Sequence, residues 1–245
     1  MDRVKGFFDS KLKIVIAIII VLIIIIGVII GIKLLSENEK VIRGVDVSEY
    51  QGDIDWSAIS DQGIYFAYIK ATQGTSNKDD YFDQNWKEAK KNHLKVGAYM
   101  FVNLDEDAKK QAEFFTQTVS VSKNSLPPVI DFELYDEYND NPPSTSDVSN
   151  MLNVIIPILK EKYNQTPIIY TNYRTYNQYL TNSFSEIPIW ICDISNQKPQ
   201  LSGDHQWVFW QYSQRGILKG YDGDEQFIDM DLFNGDEKAF NEKFN

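Results

Sequence analysis

The chain has 245 residues, a formal net charge of −11 and a single cysteine. With 43% hydrophobic and 13% aromatic residues it has ample apolar surface to bury, which excludes a disordered chain. The acidic balance argues against a nucleic-acid partner, and one cysteine excludes an internal disulfide framework or a multi-cysteine zinc site.

Residues 14–32 are nineteen positions without a charge, twelve of them isoleucine. A helix of that length spans about 28 Å, close to the hydrocarbon thickness of a bilayer. Arg3, Lys5, Lys11 and Lys13 precede the run, while Lys33 and Lys40 follow it mixed with Glu37 and Glu39. The positive-inside rule therefore predicts a cytoplasmic N-terminus (1–13), a signal-anchor helix in the lipid bilayer (14–32), a short linker (33–41) and one outer domain (42–245). A cleaved signal peptide would have a shorter apolar core and a small-residue cleavage site, which IGIKLLSENEK lacks. Gly27 and Gly31 form one G-x-x-x-G, a weak helix-pairing pattern. The first forty residues hold six Lys/Arg and four Asp/Glu, so the remainder carries 18 positive and 31 negative groups, a net charge of −13.

In the outer domain, strands are predicted at 42–47, 65–71, 95–102, 128–133, 167–171, 187–192, 207–212 and 227–231. Helices are predicted at 56–62, 82–93, 105–119, 146–163 and 173–181. Asp105 precedes the third helix, and Ser144, Thr145 and Ser146 precede the fourth, whose Met151, Leu152, Ile155, Ile158 and Leu159 share a face. Alternating β and α elements imply parallel strands with right-handed crossovers, and eight strands suggest an α/β fold with a closed barrel. The last three connections are too short for full crossover helices, so the barrel is expected to be irregular there. Such barrels carry their chemistry at the C-terminal strand ends.

Acids fall at those ends: Asp46 in the first strand, Asp131 and Glu133 in the fourth, Asp229 in the last. Residues i and i+2 of a strand face the same way, about 6.6 Å apart. Asp131 and Glu133 would thus share a cleft, with Phe132 turned into packing. Two such carboxyls suit glycoside hydrolysis, one protonated to serve the leaving oxygen and one ionised to stabilise positive charge on the sugar. Glu133, at the strand mouth, is the better acid. Gln73, Tyr99, Tyr170, Asn172, Trp190, Trp210 and Gln211 lie at other strand ends. Aromatic faces bind the apolar faces of sugar rings, and amides bind hydroxyls. Phe66, Phe101, Phe114 and Phe115 are read as core.

From about Arg43 to Gly235 the sequence resembles the glycoside hydrolase family 25 lysozymes, the Chalaropsis type of N-acetylmuramidase. GVDVSEYQGDIDW is similar to the family's opening strand, YIKATQG to its second, GAYMF to its third and LPPVIDFE to its catalytic strand. PIIYTN, PIWIC, FWQYS and IDMDLFNG follow in order. The resemblance implies an irregular, flattened (β/α) barrel of five β/α units plus three further strands. It implies cleavage of the β-1,4 bond from N-acetylmuramic acid to N-acetylglucosamine in peptidoglycan glycan strands, with no cofactor and no metal. By motif position Glu133 matches the proton donor, Asp131 the acid that orients the substrate's acetamido group, and Asp46 and Asp229 two further acids. Tyr99, Tyr170 and Trp210 match subsite positions, and Trp190 and Gln73 join them as candidate substrate contacts.

The chain departs from the family pattern at Met100, where histidine is common, at Cys192 and Asp193, and at Asp231, which stands in an asparagine place. An added acid there could raise a neighbour's pKa. Because the substrate sugar carries a 2-acetamido group, a substrate-assisted route is preferred. Cysteine catalysis lacks a paired histidine, G-x-S-x-G and H-E-x-x-H are absent, and the 222–225 stretch reads as a solvated turn rather than a calcium loop. A non-catalytic wall-binding or scaffold module of an envelope-spanning machine, with envelope proteins as partners, is the alternative. A charge of −13 would repel an anionic wall, leaving the anchor as the targeting device.

Overall fold

A computed structural model describes residue 19 and residues 21–28, 41–120, 124–195 and 197–244. The chain divides into two units, Met1–Lys40 and Val41–Asn245. In the first, residue 19 and residues 21–28 are helical with exposed side chains. The rest of the expected anchor lies outside the described residues. Among the described residues no helix is long and apolar enough to cross a membrane.

The second unit is a closed barrel. Its strands are β1 (Arg43–Val47), β2 (Phe66–Gln73), β4 (Lys95–Phe101), β5 (Val129–Asp131), β6 (Ile168–Asn172), β7 (Ile189–Cys192), β8 (Trp207–Gly216) and β9 (Ile228–Phe233), with β3 (Asn77–Lys78) as a two-residue extension on β2. Pairing from β1 through β2, β4, β5, β6, β7 and β8 is parallel. Then β9 runs antiparallel to both β8 and β1 and closes the ring. The short connection from β8 to β9 is the reason: without room for a crossover helix, the chain can only reverse. All eight expected strands are present, and the expected irregularity is this reversal.

Helices α1 (Trp56–Asp61), α2 (Phe82–Lys91), α3 (Ala108–Thr118) and α4 (Thr145–Tyr163) occupy the crossovers. A short helix α5 (Tyr173–Thr175) runs on into a π-helical turn, Tyr176–Leu180. Asp107, not Asp105, caps α3, its side chain accepting from the Lys110 N–H at 2.8 Å. Ser144 caps α4 through the Asp147 N–H. A final helix absent from the sequence prediction, α6 (Glu237–Phe244), follows β9.

Period-two alternation sorts the core into two layers. Outward residues such as Val45, Ile69, Met100, Ile130, Phe132 and Ile191 meet the helices. Inward residues such as Phe66, Tyr68, Val129, Tyr170, Trp190 and Phe209 fill the barrel, and Phe240 and Phe244 of α6 join them. Gly97 makes room for this aromatic filling, because a Cβ there would overlap the Tyr68 ring. Met100 is fully buried on the helix side, so the departure from histidine at this position does not touch the barrel mouth.

Candidate active site

Inward positions near one end of the barrel are polar where the deeper ones are aromatic. Asp46, Lys70, Tyr99, Asp131, Glu133, Tyr170, Trp190, Gln211 and Asp229 line one cavity of about 340 Å³, with Tyr50, Gln51, Phe101, Gln214, Glu225 and Phe227 around it. That volume lies within the range of ligand pockets. Asp131 ends β5 and Glu133 stands two residues on, while Phe132 is fully buried on the other side against Tyr179, as the alternation requires. Asp229 lies near the start of β9. Because β9 is reversed, that start pairs with Asp46 near the end of β1. The reversal therefore brings the fourth acid to the same mouth.

Hydrogen bonds tie the acids together. The Gln211 side-chain amide donates to Asp46 Oδ2 at 2.9 Å and to Asp229 Oδ2 at 3.1 Å. Its carbonyl oxygen accepts from the Tyr170 hydroxyl at 3.0 Å. Asn172 Nδ2 donates to Glu133 Oε2 at 3.4 Å. Below them, the Trp190 indole N–H donates to Asp231 Oδ1 at 2.9 Å.

Withdrawal from water is the largest influence on every acid of the cluster, and it raises them all. Asp46 is pushed up to about 6 despite the lowering effect of Gln211, and Asp229 to about 8 with the Asp46 charge adding to burial. Asp131 is held well above the usual carboxylate range by burial and then by the Glu133 and Asp46 charges, with Lys70 pulling the other way. Glu133 is raised by burial against the opposing Asn172 hydrogen bond. Both Asp131 and Glu133 thus keep a proton to higher pH than ordinary carboxyls do. A proton donor beside ionisable acids can protonate a leaving oxygen and stabilise a cation formed next to it.

The structure brings together Asp46, Asp131, Glu133, Asp229, Tyr99 and Tyr170. Three other candidates sit differently. Trp190 is only 1% exposed and spends its N–H on Asp231, so it floors the cavity rather than presenting a ring face. Trp210 lies outside the cavity lining, packed with Trp207 and Tyr212 and donating its N–H to the Asp193 carbonyl at 2.7 Å. It pairs with outward Ile191, and since neighbouring residues face opposite sides, Gln211 and Trp210 cannot both face the mouth. Gln73 is outside the cavity lining as well, accepting from Lys70 Nζ at 2.8 Å.

Lys70 is the residue sequence reasoning passed over. It is 8% exposed and, among the described residues, the one cation in the cavity lining. Its signal was alternation, which puts it on the face of Phe66 and Tyr68. The 222–225 stretch is not simply a solvated turn. The Gly223 and Glu225 N–H groups bond the Gln51 and Tyr50 carbonyls at 3.0 and 3.1 Å, which brings Glu225 to the cavity rim. Cys192 is partly buried, and burial pushes its thiol up to about 12, unsuited to a thiolate nucleophile.

The profile of Glycosyl hydrolases family 25 matches residues 45–221. A family 25 glycosyl hydrolase from Bacillus anthracis has a similar solved structure, with a TM-score of 0.77 and 43% identity over 82% of this chain and 92% of its own. A bacterial lysozyme from Streptomyces coelicolor is similar at a TM-score of 0.74 and 30% identity, over 82% of this chain and 95% of its own. Lysozyme M1 of Streptomyces globisporus is 33% identical over 210 residues, 79% of this chain and 68% of its own.

Proposed function

This chain belongs to glycosyl hydrolase family 25 and is a glycoside hydrolase, and from that premise we propose that it is an N-acetylmuramidase of peptidoglycan. The observation that carries the reading is the convergence of Asp46, Asp131, Glu133 and Asp229 on one cavity with raised proton affinities. Likeness to Lysozyme M1 and to the Streptomyces coelicolor lysozyme supports the substrate class.

Glu133 gives its proton to the glycosidic oxygen as the C1–O bond breaks. The substrate's own acetamido oxygen closes on C1, with Asp131 accepting from the acetamido N–H. Water then opens the cyclic intermediate, returning a proton to Glu133 and leaving a reducing muramic acid end. Asp46 stabilises the positive charge that develops at C1, with Asp229 held beside it through the shared Gln211 amide. Tyr99 and Tyr170 line the bound sugar.

Digestion of purified peptidoglycan, followed by reduction and mass spectrometry, tests this. The expected products are muramitol ends from the wild type. Glu133→Gln should lose about 10²- to 10⁴-fold in rate, the usual worth of a general acid. Glucosaminitol ends would overturn the bond specificity, inverted product would overturn acetamido participation, and wall binding without cleavage would favour a scaffold.

The reading extends to location. Twelve isoleucines within 14–32 and the basic flank before them support a signal-anchor, N-terminus inside and enzyme outside. Deleting residues 1–40 should then move the protein from the membrane fraction to the soluble fraction. An unchanged distribution would refute anchoring by this segment.

A further inference from the structure

Asp231 is a carboxyl with nowhere to put a charge. It is fully buried, and no described lysine or arginine pairs with it. Oδ1 accepts from the Trp190 indole, while among the described residues no N–H or O–H donor reaches Oδ2. An ionised carboxylate in that position would leave a buried charge unpaired, which is strongly unfavourable.

The groups around it sharpen the point. From β1 comes Asp46, from β2 Tyr68, from β7 Trp190, from β8 Gln211, its register partner, and from β9 itself Asp229. None of these is a cation. Asp46 is its diagonal neighbour on the same inward face, two residues on from Gly44, with which Asp231 pairs across the ladder. Two carboxylates are both acceptors, so a hydrogen bond between them requires one proton. Asp46 is the better home for the charge. It already accepts from Gln211, lines the cavity and is only partly buried, whereas Asp231 is sealed below it.

We propose that Asp231 is a protonated acid that acts as the positioning residue for Asp46: its hydroxyl donates to the Asp46 carboxylate while Oδ1 takes the Trp190 N–H. A carboxylic acid so held presents the same pattern as an asparagine side chain, one donor and one acceptor. It fixes the Asp46 rotamer and keeps Asp46 ionised beneath the bound sugar. Burial and the neighbouring Asp46 and Asp229 charges push Asp231 in the same direction, well above the ordinary carboxylate range. The proposal rests on the glycosidase reading of the cavity for its consequence, though not for the state of the proton.

Asp231→Asn and Asp231→Ala in the full chain, solubilised in detergent, test it. The asparagine keeps both hydrogen bonds, so kcat should stay within about threefold of wild type. The alanine frees Asp46, and kcat should fall by about ten- to a hundredfold with KM within about twofold, as for a misplaced catalytic group. Loss of the donor also raises Asp46, so the acid limb of kcat/KM should move to higher pH in the alanine variant and not in the asparagine variant. At neutral pH the infrared carbonyl band of protonated carboxyls should weaken in Asp231→Asn relative to wild type. An asparagine variant as damaged as Glu133→Gln would show that the ionised form is needed and overturn the proposal. An alanine variant with unchanged kcat and pH profile, or an unchanged infrared band, would overturn it as well. If Glu133→Gln cleaved at the wild-type rate, the glycosidase reading would fall while the infrared comparison still decided the state of Asp231.

Discussion

Gln211 shows how one neutral side chain can organise three others. Its amide nitrogen serves Asp46 and Asp229, and its oxygen takes the Tyr170 proton. Without it two partly buried carboxyls would face each other with no shared donor. Each lost hydrogen bond to a charged group is worth about 1.5–3 kcal/mol. Gln211→Leu should therefore raise the pH at which Asp46 ionises and lower kcat/KM by about ten- to a hundredfold, with most of the loss below neutral pH. A pH–rate profile superimposable on wild type would show that the bridge does not organise the acids.

Among the elements, the segment from 219 to 227 forms no helix or extended strand yet has a defined seat. Asp55 N–H bonds the Gly220 carbonyl at 2.7 Å, Ile54 bridges Tyr221, and Gly223 and Glu225 bond to residues 51 and 50. The contact depends on two glycines. Gly52 adopts φ +63°, and a Cβ on Gly223 would collide with the Tyr50 carbonyl and the Gln51 backbone. The segment carries Glu225 and Phe227 to the cavity. Gly223→Ala should displace this wall, raising KM several-fold while kcat changes less, because uniform binding is lost rather than proton transfer. A fall in kcat with KM unchanged would mean that the segment supports the acids instead.

At the scale of the whole domain, the acid cluster sets how stability depends on pH. Asp46, Asp131, Glu133, Asp229 and Asp231 all bind protons more tightly folded than unfolded. A carboxyl raised by folding contributes stability that is complete below its unfolded value, about 4, and is lost as pH rises through its folded value. With Asp46 at about 6 and Asp229 at about 8, the loss spans the neutral range. Asp55 and Glu106 are lowered by hydrogen bonds and act oppositely, losing their contribution as pH falls through their folded values. The melting temperature should accordingly decline from about pH 5 to about pH 8. A flat or rising profile would mean that the acids are solvated as ordinary carboxyls. The cost is the counterpart of function, since a cavity that keeps carboxyls protonated near neutrality holds stored unfavourable burial.

Local pattern alone determined the eight strands, four crossover helices and the placing of Asp131 and Glu133 on one side with Phe132 on the other, because alternation and capping are properties of neighbouring residues. It also marked Asp46 and Asp229, and the resemblance of ordered motifs supplied the family. What it could not determine depended on partners distant in the chain. The reversal of β9, which sets Asp229 beside Asp46, follows from ring closure. The seat of 219–227 on residues 50–55 joins segments more than 160 positions apart. Trp190 and Trp210 looked alike as strand-end aromatics, yet one is consumed by Asp231 and the other faces the helices. Lys70 and Asp231 were visible as residue types, but their burial, and with it their electrostatic meaning, exists only once eight strands enclose a common interior too small for water to reach every charge.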